Sequence, residues 1–216
     1  MLKRVPAVLL GAGALLTAQP ASAQIASGYS GRSDGGVEYL GSEEVWQALR
    51  VFGSCYARSN PSHGLELLGT ERGSQAERSA IRRAIVEPPH CFGYVSSVRA
   101  PTIWLRGAVA EGLFKRQVAI PEALRLAPPA RGKDSRNLSE SARCVAASNG
   151  DQVRALLATS IGSRDEREAA DALLSGPFRQ CVPADVTELS VSTLMVRYYL
   201  VEALLRLPSS APAGTR

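Results

Sequence analysis

Two stretches of the chain, CYARSNPSHGLELLGTERGSQAERSA at 55–80 and CVAASNGDQVRALLATSIGSRDEREA at 144–169, align without a gap at a shift of 89 positions. Twelve of the 26 aligned pairs are identical: Cys55/Cys144, Ala57/Ala146, Ser59/Ser148, Asn60/Asn149, Leu67/Leu156, Leu68/Leu157, Thr70/Thr159, Gly73/Gly162, Ser74/Ser163, Glu77/Glu166, Arg78/Arg167 and Ala80/Ala169. One inserted residue later Cys91 meets Cys181, and one more brings Thr102, Arg106, Glu111 and Leu113 onto Thr193, Arg197, Glu202 and Leu204. The pattern reads as a tandem duplication. Whatever local structure one copy takes, the other must take as well.

Four cysteines allow three disulfide connectivities. A cross-link inside a duplicated module is itself duplicated, which predicts Cys55–Cys91 and Cys144–Cys181. Each would close a loop contributing about 4 kcal/mol in the chain-entropy account. Equivalence across the copies, and the lack of a CxxC motif, argue against a catalytic or redox-active thiol.

Helix signals recur with the same spacing. Ser74-x-x-Glu77 and Ser163-x-x-Glu166 are capping boxes, in which the Ser accepts from the amide three residues on and the Glu reaches back to the Ser amide. Each precedes an apolar helical pattern that ends at Pro88-Pro89 or at Gly176-Pro177. Asn60 and Asn149 stand where an N-cap would open a short helix, with Pro61 suited to its first position. Before them a helix carries the first cysteine, starting at Ser42 in copy one and shorter and more polar in copy two.

The final helices, Thr102 to Arg116 and Thr193 to Leu207, are apolar on more than one side. They are expected to cross at the centre and to supply the core through Ile103, Trp104, Leu105, Val109, Leu113, Leu194, Val196, Tyr199, Leu200 and Leu204. The predicted fold is all-α: a tandem duplication of a four-helix, disulfide-closed module packed as one globule. Its modules span 42–117 and 138–207. A connector at 118–137 joins them, and 24–41 and 208–216 are flexible flanks.

Residues 1–23 carry Lys3 and Arg4, then an apolar stretch, then Ala21-Ser22-Ala23, which together read as a secretory signal peptide cleaved near Ala23. The apolar stretch is shorter than a membrane span, and no later segment is long enough to be one. Only three of the 25 basic residues are lysines, which with the Ala-rich leader suggests a bacterial origin and a periplasmic or secreted location. The formal net charge of +5 is spread along the chain, giving no nucleic-acid stripe.

Candidate chemistry is sparse. His63 and His90 have no second His or free Cys at metal spacing, so neither a metal nor a cofactor is expected. Glu77 and Glu166 are accounted for by capping. Arg106-x4-Glu111 and Arg197-x4-Glu202 are not: five positions on a helix diverge by about 140°, so each side chain must find its partner elsewhere. These four residues are the candidate polar binding cluster. CVPADVT at 181–187 resembles the Cys-x-Pro-x-x-Val-Thr stretch of small exported helical immunity proteins that neutralise secreted amidase effectors. The expected function is non-catalytic binding of an envelope or secreted protein. The alternatives are an immunity or inhibitor protein, a carboxylate-based hydrolase, and an apolar-ligand carrier with a cavity lined by Trp104, Met195 and Tyr199.

Overall fold

The computed structural model describes residues 43–87, 91, 100–126, 137–183, 186 and 191–208. The expected leader at 1–23, the segment 24–41, Ser42, the Pro88-Pro89 helix stop, His90, residues 127–136 of the connector and the tail after Pro208 lie outside them. Among the described residues the structure is all-helical, with no strand. The first half holds α1 (Glu43–Ser59), α2 (Pro61–Gly69), α3 (Gln75–Val86) and α4 (Thr102–Lys115). A 3-10 turn at Glu122–Leu124 follows. The second half holds α5 (Leu138–Ser148), α6 (Gly150–Ala158), α7 (Arg164–Ser175), α8 (Pro177–Cys181) and α9 (Thr193–Arg206).

The second half therefore departs from the expected four helices. Gly176 ends α7, and Pro177, which needs no amide partner at a first helical position, starts the five-residue α8 that carries Cys181. Helix α5 is also shorter than α1, 11 residues against 17. Its first residue, Leu138, aligns with Leu49, so α1 runs six residues further toward the N-terminus.

Helices α4 and α9 form the centre. Every residue from Leu105 to Leu113 of α4 is buried, and α9 buries Leu194, Val196 to Tyr198 and Leu200 to Ala203. Gly107 makes this crossing possible, because a Cβ there would collide with the Cβ and ring of Tyr198, the residue aligned with Gly107. On the other side of α4, Gly112 packs against the backbone of Gly53 in α1, again leaving no space for a side chain. Of the expected core residues, Trp104, Tyr199 and Leu204 are only half-buried, and Tyr198 takes the interior place assigned to Tyr199. In a helix apolar nearly all round, periodicity does not mark which of two adjacent tyrosines faces in.

The disulfides join Cys55 to Cys91 and Cys144 to Cys181, with Cα atoms 5.4 and 5.7 Å apart. Each ties a helix (α1 or α5) to the segment that follows α3 or α7. Peptide mapping of the oxidised chain without reduction is expected to return these two pairs alone. A Cys55–Cys144 peptide would contradict the architecture.

Candidate functional site

The repeated residues build two frames of the same design. Gly73 and Gly162 adopt positive φ (76° and 79°), which glycine reaches without a Cβ clash, and so turn the chain into α3 and α7. Ser74 Oγ accepts from the Glu77 amide and Ser163 Oγ from the Glu166 amide, each at 3.0 Å. The returning glutamates bond one residue further back than a capping box would have them. Glu77 Oε2 accepts from the Gly73 amide at 2.7 Å and Glu166 Oε2 from Gly162 at 2.6 Å. Arg78 and Arg167 donate to the carbonyls of the same glycines. Asn60 and Asn149 do occupy the residues before α2 and α6, but their side chains make no capping bond.

Into each frame projects one arginine from the central helices. Arg106, with no exposed surface, donates from Nη1 to the Leu67 carbonyl at 2.9 Å, to Thr70 Oγ1 at 2.9 Å and to Glu77 Oε1 at 3.2 Å. Its Nη2 donates to the Leu68 carbonyl at 2.8 Å. These carbonyls belong to the last turn of α2, where Leu67 O also accepts from the Thr70 amide at 3.2 Å and hydroxyl at 2.7 Å, so the guanidinium helps cap the helix and meets the negative end of its dipole. Arg197, equally buried, repeats the arrangement on Leu156, Thr159, Glu166 and Leu157 of the second half.

The remaining edge of each guanidinium forms a fork across the α4–α9 contact. Arg106 Nε and Nη2 bond Glu202 Oε2 and Oε1 at 2.9 and 2.8 Å; Arg197 Nε and Nη2 bond Glu111 Oε2 and Oε1 at 3.0 and 2.8 Å. The four residues of the candidate cluster are thus joined as two inter-helix pairs, and neither arginine bonds the glutamate of its own helix. The bidentate geometry is the strong form of a charge-assisted bond. Glu77 and Glu166, set aside at the sequence level as caps, use their second oxygens to complete the pairs. Their double role had a signal, since both align with identical residues, but the bond to Arg106 spans 29 positions and leaves no local pattern.

Burial pushes the Arg106 pKa down, but the charge and hydrogen bonds of Glu202 and Glu77 more than reverse it. For Glu111, burial favours the neutral acid, and bonds from Arg197 and Lys115 outweigh it, so its pKa is lowered. Glu202 is the most heavily paired acid: burial raises its pKa, yet the charges of Arg72, Arg106 and Arg206 hold it at about 2.

The two clusters differ on their outer sides. Glu111 is met by Lys115 at 2.6 Å, and at the aligned place Glu202 is met by Arg206 at 3.3 Å. Glu202 has an additional partner in Arg72, 2.5 Å away, whose guanidinium lies 4.4 Å from the centre of the Tyr199 ring. The residue aligned with Arg72 is Ile161, which is buried. Beside this second cluster opens a cavity of about 570 Å³, whose lining includes Arg72, Arg106, Tyr199, Glu202, Arg206 and the start of α5.

Neither Trp104 nor Met195 lines the cavity. His63 lies 3.6 Å from Glu87 on the surface side of α2. Among the described residues there is no group of three or more His, Cys, Asp or Glu suited to a metal, and no helix is long and apolar enough to cross a membrane. Comparison with known protein families, curated proteins and solved structures finds no match to this chain.

The Glu202 pairing sets a pH dependence. Its carboxyl titrates near 4.5 when unperturbed and near 2 when folded, so the unfolded chain takes up its proton first. The stabilisation is therefore complete above about pH 4.5 and is lost as pH falls from there toward 2, with Glu111 acting in the same direction. Thermal melts of the disulfide-intact protein are expected to show Tm falling across this window, and Glu202→Gln to lower Tm at neutral pH and flatten the acid limb. An unchanged acid limb in the variant would contradict the pairing.

Proposed function

We propose that this chain is an exported bacterial protein, built by tandem duplication of a helical module, that binds a protein partner in the cell envelope and carries out no catalysis. The observation that carries the non-catalytic reading is the state of the buried acids. Glu77 and Glu202, the two that line the cavity and are buried, are both held by Arg106. A carboxylate with its lone pairs engaged by arginine is a poor base, and Glu202, whose pKa is held low, is a poor general acid. The corresponding acids of the other cluster, Glu111 and Glu166, are held by Arg197 in the same way.

Export is supported by the leader-like residues 1–23 and by two disulfides with no free cysteine among the described residues. Duplication is supported by the recurrence of the frame bonds and by the reciprocal forks. Two equivalent helices that exchange Arg106–Glu202 for Arg197–Glu111 obey the contact rule of a two-fold interface. An immunity or inhibitor role is favoured within the binding class by CVPADVT. There Cys181 ends α8, and the Val186 amide donates to the Pro183 carbonyl at 3.0 Å. An apolar-ligand carrier finds less support, since the cavity takes in Tyr199 without Trp104 or Met195 and is rich in charge.

The oxidised chain, immobilised and exposed to a bacterial periplasmic extract, is expected to retain one protein stoichiometrically and to lose it after disulfide reduction. Failure to retain any partner, together with a hydrolytic activity abolished by Glu202→Gln, would replace this reading with the hydrolase.

A further inference from the structure

No disulfide crosses between the halves: Cys55–Cys91 lies within the first and Cys144–Cys181 within the second. Apart from the connector, what joins them is non-covalent and centred on α4 and α9. The two forks give this contact strength without choosing the partner. Each helix carries an arginine and, five positions on, a glutamate, so two copies of α4 set two-fold against each other would form Arg106–Glu111 forks, and two copies of α9 would form Arg197–Glu202 forks. Gly107 and Tyr198 do choose. They are aligned residues that face each other, which puts them on the near two-fold axis, and a Cβ on Gly107 would lie 2.2 Å from the Tyr198 Cβ. The axis therefore holds one side chain and not two. Tyr198 has no exposed surface and its hydroxyl finds no hydrogen-bond partner among the described residues, so the ring serves there by its shape.

We propose that the α4 and α9 faces form an interaction surface that accepts only the unlike half, from the same chain or from a second copy, and rejects its own kind. Pairing α4 with α4 would set Gly107 against Gly107 and leave the volume of a tyrosine ring empty, while pairing α9 with α9 would drive Tyr198 into Tyr198. Only the unlike pair fills the axis without overlap. The consequence falls on assembly. Unlike halves close within one chain, where the connector keeps them at high effective concentration. Like halves can meet only between chains, and the two kinds of like contact in alternation would string chains into an open polymer. One Gly–Tyr pair thus removes a hazard that two equivalent forks create. The equivalence of the halves rests on the duplication proposed above, whereas their association needs no envelope partner, so this surface and the binding of an envelope protein can fail separately.

The test uses the full oxidised chain carrying one added protease site within 127–136, cut after folding, unfolded in denaturant with its disulfides intact, and diluted back. Native mass spectrometry then shows which halves pair. Unlike pairs alone are expected for the wild-type sequence and for Tyr198→Phe, which keeps the ring. Tyr198→Gly, which makes the axis the same in every pairing, is expected to bring like pairs to about half of the total, the statistical share. Gly107→Ala is expected to weaken unlike pairing about tenfold or more through overlap with Tyr198, and adding Tyr198→Gly to restore it. Halves that fail to re-associate, like pairs in the wild-type sequence, unlike pairs alone in Tyr198→Gly, or a double variant no better than Gly107→Ala would overturn the proposal.

Discussion

Two guanidinium–carboxylate forks between the central helices, Arg106 with Glu202 and Arg197 with Glu111, impose conditions that the rest of the structure meets. Removing such ions from water costs several kcal/mol each, and their attraction offsets this only when every remaining proton and lone pair is engaged. A guanidinium has five N–H groups, and a carboxylate fork uses two. The other three require acceptors in the interior, where acceptors are scarce except at a helix end. Each fork therefore draws the last turn of α2 or α6 against the central helix, and with it the Thr hydroxyl and the Glu from the start of the next helix.

This requirement accounts for the residues that the two aligned stretches share. Leu67 and Leu68, or Leu156 and Leu157, supply carbonyls below and core side chains above. Thr70 and Thr159 relay a hydroxyl between the Arg and the helix end. The glycine at positive φ and the capping serine aim Glu77 or Glu166 back at the guanidinium. The disulfides close each half around the frame without touching it.

Much of this was legible from residue identities. The shift of 89 positions aligned the cysteines into the pairs that the structure contains, and the five-residue spacing of Arg106 and Glu111 excluded a bond within one helix. What escaped was long-range or fine in angle. Nothing local to Glu77 announces Arg106, nothing in an apolar helix separates Tyr198 from Tyr199, and the start of α8 depends on one proline after one glycine. The cavity escaped because it arises from differences between the halves. Arg72 against Ile161, and an α5 six residues shorter than α1, are invisible to an alignment that collects identities. Sameness specifies the frame in this chain, and departures from sameness open the cavity beside it.

A double-mutant cycle in the oxidised protein, with Arg106→Met and Glu202→Gln singly and together, measures the central fork directly by denaturant unfolding. The account predicts a coupling of about 2 kcal/mol for this pair, and additivity within about 0.5 kcal/mol when Arg106→Met is combined with Glu111→Gln in the same helix. Additive effects of Arg106 and Glu202, or an equal coupling of Arg106 to Glu111, would contradict it.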